Sequence, residues 1–406
     1  MSLVVDIDAL KKTIMSTLGK SMGGGNKKNI VKRRRAELKE KLGDVDRNTY
    51  RRVINGMIRD AFYHLVDGKA TGEEINLLES VEFGTKQWSD DSFNIMKTNS
   101  TCGNLCIYCY VSGIYNHYGR IQLKDIIKQL NDAGAKIIGV EGERMTSADR
   151  QSMLLPFETD EERASKYWGK PKMPKLFMIP TAHDIFPSNV DYIISNVKDM
   201  LTIGHSILIV SKPRLECIRK ICEAIDEMDA TYANQWGDEY GVQPGDYKKN
   251  VTFRFTIGSN DQTILDFWEP FAPGYAERVE CLKLAMEMGY ETSVSMEPFL
   301  SDPAPVIEAI DQWVSGEIWI GEMNAKPSEK VFDVEFTSSE RAKIDEIATL
   351  YQFDNINRIV TELRSNQKVN WKESIIKVFL KARNKRTRKN RSSREVVPTT
   401  LLDYGE

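Results

Sequence analysis

Between residues 92 and 323 short apolar runs alternate with amphipathic stretches, and this alternation narrows the fold more than any other feature of the chain. The runs FNIMKT (93–98), KLFMIP (175–180), SILIVSK (206–212), VTFRFTIG (251–258), ETSVSME (291–297) and EIWIGEM (317–323) have the length and composition of strands. Between them, LKDIIKQLNDAGA, NVDYIISNVKDMLTIG, RLECIRKICEAI, GYAERVECLKLAMEMG and PVIEAIDQWVS repeat their apolar residues at helical steps. Strand and helix in turn mean right-handed βαβ units and a parallel sheet. The strands are apolar nearly throughout, as a sheet covered by helices on one face and filled on the other requires. The expectation is an α/β fold, an open partial (β/α)6 barrel, with chemistry gathered at the C-terminal ends of its strands.

Residues 1–90 read as a helical N-terminal extension. Tyr50, Val53, Ile54, Ile58, Phe62 and Leu65 recur at three- and four-residue steps, and Gly68 stands near the stop. Residues 91–325 form the barrel region, and residues 326–406 return to helical periodicity before a basic tail. Two segments interrupt the barrel pattern. Residues 136–173 carry KIIGVEGER and then a polar stretch, and residues 229–250 read as a long loop of glycine, aromatic and acidic residues. Loops of that length in a compact domain are as a rule functional or mobile.

The net charge of −3 conceals an asymmetry. Residues 20–35 hold seven Lys/Arg and residues 381–394 hold eight, with no acid in either. Taking those fifteen from the 56 basic residues leaves 41 against 59 acids, so the rest of the chain carries −18. Cationic ends on an acidic body fit contact with a polyanion such as nucleic acid. Solvated tails are the plainer reading of like-charge blocks. No apolar run approaches the roughly 18 residues of a membrane span. The start, with Asp6 and Asp8, lacks the basic-then-apolar order of a secretory signal. A cytoplasmic location, with thiols kept reduced, is the expectation.

Of the six cysteines, Cys217, Cys222 and Cys281 sit in amphipathic stretches and read as small buried hydrophobes. Cys102, Cys106 and Cys109, in NSTCGNLCIYCYVSG (99–113), are different: they form C-x3-C-x2-C directly after the first expected strand. A structural zinc needs a closed set of four ligands. His117 is available as a fourth, but no second ligand pair stands at zinc-ribbon spacing. Three thiolates also suit a [4Fe–4S] cluster with one iron left open to bind a small molecule. A non-catalytic nucleic-acid-binding protein with a structural metal site stays open at this point.

The triad, with an aromatic (Tyr108) just before its last cysteine, in the first βα loop of a partial barrel, resembles that of the radical S-adenosylmethionine (SAM) enzymes. The order of CIYCYV, PTAHDIFPSN, LIVSKP, FRFTIGS, FWEPFAPGYAERVECLKLAMEMGYETSVSMEP and IWIGEMN is similar to that of their spore photoproduct lyase-like branch, over roughly residues 92–325. The resemblance implies a partial barrel of the radical SAM type and a [4Fe–4S] cluster on Cys102, Cys106 and Cys109. It implies SAM chelated to the open iron and cleaved to a 5′-deoxyadenosyl radical that abstracts hydrogen from substrate. It also implies an external one-electron reductant, flavodoxin- or ferredoxin-like. Tyr108 would lie along the adenine and Tyr110 would line the substrate side, while Thr181, Lys212 and Thr256 would take the SAM carboxylate at successive strand ends. Lys212 closes an apolar strand, where an ammonium suits an anion.

His183 and Asp184, at the mouth of the expected crevice, are candidates for acid–base work. Glu297, at a strand C-terminus before Pro298, is a third. Arg254 lines the barrel or pairs with a buried acid. The chain lacks the family's Gly-Gly-Glu after the second strand, for which Glu141 and Glu143 are the substitutes at hand. Pro180 and Thr181 stand where photoproduct lyases place a cysteine near the site. The expected substrate is a nucleobase or its substituent in DNA or RNA, reached through the basic segments 20–35 and 381–394 and the aromatics Tyr232, Trp236 and Tyr240. The same chemistry on a protein or small molecule is the alternative.

Overall fold

A computed structural model of the 406-residue chain describes residues 47–81, 84–94, 102–154, 175–240, 246–324 and 326–394. These fall into two units, one holding residues 52–81 and 373–394, the other residues 47–51 and 84–372.

The smaller unit is helical. Its elements are the helix Arg47–Val66 from residue 52 onward, the helix Gly72–Glu79 and the helix Glu373–Arg394. Phe62, Leu65, Ile75, Leu78, Ile376 and Phe379 are buried in it, and Phe62 meets Phe379 edge-on at 5.1 Å. Thr71 opens the second helix with a reciprocal capping box to Glu74. The basic segment 381–394, expected as a tail, is the continuation of the last helix. Lys, Arg and Ala favour helix, and the segment contains neither glycine nor proline to stop it. The basic segment 20–35 lies outside the described residues.

The larger unit is built on parallel strands, each hydrogen-bonded to the next in sequence. In order they are β1 (Asp91–Ser92), β2 (Leu176–Ile179), β3 (Ser206–Ser211), β4 (Val251–Thr256), β5 (Glu291–Met296), β6 (Ile318–Ile320) and β7 (Val369–Trp371). The sheet curls into a half-barrel. Strand alternation sorts its two faces. Ile207, Ile209, Phe253 and Phe255 lie on the face that packs against helices, with Phe253 edge-on to Tyr290 at 5.2 Å. On the opposite face Met178, Leu208, Val210 and Trp319 cluster with Trp88, which precedes β1.

Register fixes which side chains share a level. Ser211 pairs with Phe255 and Thr256 with Ser295, so Lys212, Thr256, Ser295, Trp319 and Asn370 form one row across the strand ends. Glu297, Gly321 and Lys372 form the row above.

The α/β class and the parallel half-barrel match the expectation, with three differences. The sheet has seven strands among the described residues where six were expected. β7 is three residues long and carries Asn370, so its sequence shows no apolar run. Residues 229–240, read as part of a long loop, belong to the helix Leu215–Tyr240. Gly237 alone does not break it, because one glycine inside a helix costs only about 1 kcal/mol. β1 is Asp91–Ser92, just before the first expected strand at 93–98, of which residues 95–98 lie outside the described set. Cys217, Cys222 and Cys281 are buried free thiols, as expected of small hydrophobes.

Phe253 has no exposed surface, so Phe253→Ala should cost about 3–5 kcal/mol and lower the urea midpoint accordingly. An unchanged midpoint would show that β4 does not carry the core.

Candidate functional site

The three-cysteine loop lies between β1 and the helix Tyr110–His117. It winds through a left-handed Leu105 (φ 44°), with the Leu105 N–H donating to the Cys102 carbonyl and that of Cys109 to the Cys106 carbonyl. Cys109 is the N-cap of the following helix, its sulfur accepting the Ser112 N–H at 3.5 Å. Asn104, fully buried, accepts the Phe271 N–H on its carbonyl, and Ile107 donates to the Trp268 carbonyl at 2.9 Å.

Two buried carboxylates tie this loop to the strand ends. Asp184 accepts from the Lys212 N–H at 2.6 Å, the Ser211 hydroxyl at 3.0 Å and Asn104 Nδ2 at 2.7 Å. Its Oδ2 lies 3.8 Å from Cys102 Sγ and 3.7 Å from Lys212 Nζ. Burial pushes the Asp184 carboxyl upward, but Lys212 and the donated N–H groups override it and hold it below the usual range. Glu269 accepts the Tyr108 hydroxyl on one oxygen and Arg278 on the other. Arg278, without exposed surface, also donates to the carbonyls of Pro273 at 2.8 Å and Thr256 at 3.1 Å.

The thiols are desolvated. Burial pushes Cys102 up to about 12, and Cys106 rises for the same reason, with Lys212 as the partly opposing cation. The charge of Cys109 adds to the rise of Cys102, and that of Cys102 to the rise of Cys106. Cys102 and Cys106 therefore stay protonated until a positive centre takes the proton's place. Among the described residues no group of three or more His, Cys, Asp or Glu side chains converges to hold a single metal ion. A [4Fe–4S] group sets a different requirement, since each thiolate binds its own iron. Three buried or half-buried thiols on one loop fit that group in kind.

The expected site residues divide by position. Tyr108, Asp184 and Lys212 gather at the loop, with Lys212 Nζ 5.6 Å from the Tyr108 ring centroid. Thr256 is level with Lys212 and joined to Glu269 through Arg278. Thr181 is held by Asn94, which donates to its hydroxyl at 2.6 Å and accepts its N–H at 2.7 Å. His183 is buried with Nδ1 at 2.9 Å from the Asp184 carbonyl, and burial lowers its pKa to about 4. It is therefore neutral at pH 7.

Tyr110, 46% exposed, opens the helix after the loop, and burial first, then the charges of Cys109 and Glu297, raise its pKa; Glu297 lies at the far strand ends. There Glu297 meets Lys372 at 3.3 Å, and the two close over Gly321, where a Cβ would lie 2.9 Å from Lys372. Lys372 also donates to the Gly84 carbonyl at 3.0 Å and stands 4.1 Å from the Trp88 ring centroid. Arg254 pairs with Glu317 at 3.2 Å on the inner face. Glu141 and Glu143 are exposed, and the side chains of Tyr232, Trp236 and Tyr240 lie outside the described set.

Sequence reasoning missed Asn104, Arg214, Glu269, Arg278 and Lys372. The first four sit inside stretches quoted for other residues, Lys372 in the helical C-terminal region, and only a distant partner marks each of them out. A scan against protein-family models finds no match for this chain, and a search of the curated proteins finds none.

Asp184→Ala would leave three donors and the Lys212 ammonium without their acceptor. It should destabilise the larger unit by about 3 kcal/mol or more in denaturant titrations, and Asp184→Asn by less. Equal, small losses for both would mean that Asp184 does not tie the loop to β3.

Proposed function

We propose that this protein is a radical SAM enzyme of the spore photoproduct lyase-like kind, acting on a nucleobase or its substituent in DNA or RNA. The observation that carries this reading is the placement of Cys102, Cys106 and Cys109 on one loop bound to the ends of β3 and β4 in a parallel half-barrel. Fold alone supports many activities, so the weight rests on the thiols and their neighbours. Cys102, Cys106 and Cys109 would hold the cluster. Lys212 and Thr256, side by side on one row, would receive the carboxylate of SAM, and Tyr108, clamped by Glu269, would back its adenine. Bound there, the cluster and SAM supply one-electron cleavage of a sulfonium and hydrogen abstraction, driven by an external flavodoxin- or ferredoxin-like donor. Tyr110 and the Glu297–Lys372 pair would face the substrate.

Nucleic acid as substrate is supported by the helix Glu373–Arg394, whose last fourteen residues include eight Lys/Arg and no acid. Such a cationic rod gives sequence-independent attraction to phosphates. Among the described residues no helix is long and apolar enough to cross a membrane.

Anaerobically reconstituted protein should be brown, absorb broadly near about 400 nm and carry about four irons per chain. Ala at any one of Cys102, Cys106 or Cys109 should abolish this iron, whereas Ala at Cys217, Cys222 and Cys281 together should retain it. Colourless protein with one zinc would sink the enzyme reading. For the substrate, binding to duplex DNA should weaken with salt at a slope of about −5 if six phosphates are neutralised. Deleting residues 381–406 should flatten that slope, and equal slopes would move the chemistry to a protein or a small molecule.

A further inference from the structure

Among the described residues, five buried or nearly buried ionisable side chains lie beside the cysteine loop. Asp184 and Glu269 are acids, 8% and 1% exposed. Lys212, Arg214 and Arg278 are bases, with Arg214 4% exposed, Arg278 0% exposed, and the Lys212 side chain 11% exposed. The set therefore carries one more positive than negative charge. Lys212 pairs with Asp184 and Arg278 with Glu269. Among the described residues Arg214 is the member of the set with no carboxylate of its own at ion-pair distance.

Its guanidinium donates to Asn104 Oδ1 at 2.8 Å, the Phe271 carbonyl at 3.1 Å and the Ile185 carbonyl at 3.3 Å, all neutral acceptors. It lies 4.2 Å from the centroid of Phe186, the ring packed against Cys102. Two carboxylates act on its charge: Asp184, already paired with Lys212, and Glu277, which is only partly buried and accepts the Leu215 N–H at 3.1 Å. A buried cation without a matched anion is unfavourable unless one is supplied. Three thiolates on an oxidised [4Fe–4S] core of charge +2 carry −1, and one-electron reduction takes that to −2. Net charge close to a cluster is one of the levers that set its potential.

We propose that the buried charge around the loop, with Arg214 as the cation that has no close carboxylate of its own, raises the reduction potential of the cluster by favouring the more negative, reduced state. The inference rests on the cluster proposed above; of the charged set only Lys212 would meet SAM, and the residues varied below, Arg214 and Glu269, would touch neither SAM nor substrate. Arg214 acts through the loop, by its charge.

The test is a potentiometric titration of the anaerobically reconstituted full-length protein, followed by the EPR signal of the reduced cluster. Arg214→Gln removes the charge and keeps a side-chain donor. Its potential should fall, leaving about tenfold less reduced cluster at a fixed potential, the effect of a buried unit charge at an effective dielectric constant near 20. Arg214→Lys keeps the charge and should stay close to wild type. Glu269→Gln removes an anion of nearly the same shape and should shift the potential upward.

Opposite shifts from opposite charges support the assignment, because a loosened loop would move both variants the same way. Shifts of the same sign, or a Lys variant that follows the Gln variant, would overturn it. Should Arg214→Gln fail to assemble, the sign for Glu269→Gln decides: upward supports the charge account, unchanged or downward refutes it. A wild-type protein that assembles no cluster would instead refute the proposed function itself.

Discussion

The carboxylate of Asp184 is the interaction on which the candidate site depends. It is buried, and it draws donors from two elements far apart in sequence, Asn104 on the cysteine loop and Ser211 with Lys212 at the end of β3. A charge in that position is tolerated only when fully paired, so the loop and the strand end cannot separate without stranding it. The position of Cys102 therefore inherits the register of the sheet. Glu269 does the same at the other end of the loop, joining the Tyr108 hydroxyl through Arg278 to the carbonyl that closes β4.

The interior of the half-barrel is filled. Trp88 and Trp319 pack with Leu208 and Val210, and the Trp88 ring has Lys372 Nζ at 4.1 Å and Arg254 Cζ at 4.9 Å from its centroid. Each of these cations has its own carboxylate, Glu297 for Lys372 and Glu317 for Arg254. Gln87 reaches from beside Trp88 to the Trp371 carbonyl on β7, so the segment before β1 lies against the opposite edge strand. Beside that filled interior, the candidate residues Lys212 and Glu297 stand at the ends of different strands.

What was legible in the sequence follows from the range of the forces involved. β2 to β6 announce themselves because each is a local apolar run, and the three thiols because they fall within eight positions. β7 is three residues with a polar centre, defined by its partner β6 and invisible without it. The stretch 229–240 looks like a loop by composition, yet the helix beginning at Leu215 carries through it. The network residues are the hardest to see. Asn104 is 80 positions from Asp184, Tyr108 is 161 from Glu269, and Arg214 is 110 from Asn104, so no local spacing reports these contacts.

The central claim is that the three cysteines hold a four-iron cluster with one iron open to SAM. Mössbauer spectroscopy of protein reconstituted with 57Fe, before and after adding SAM, tests it most directly. One iron in four should change its isomer shift when SAM binds, while the other three, held by Cys102, Cys106 and Cys109, stay as they were. Four irons that all remain unchanged on adding SAM, or a protein that takes up no iron, would contradict it.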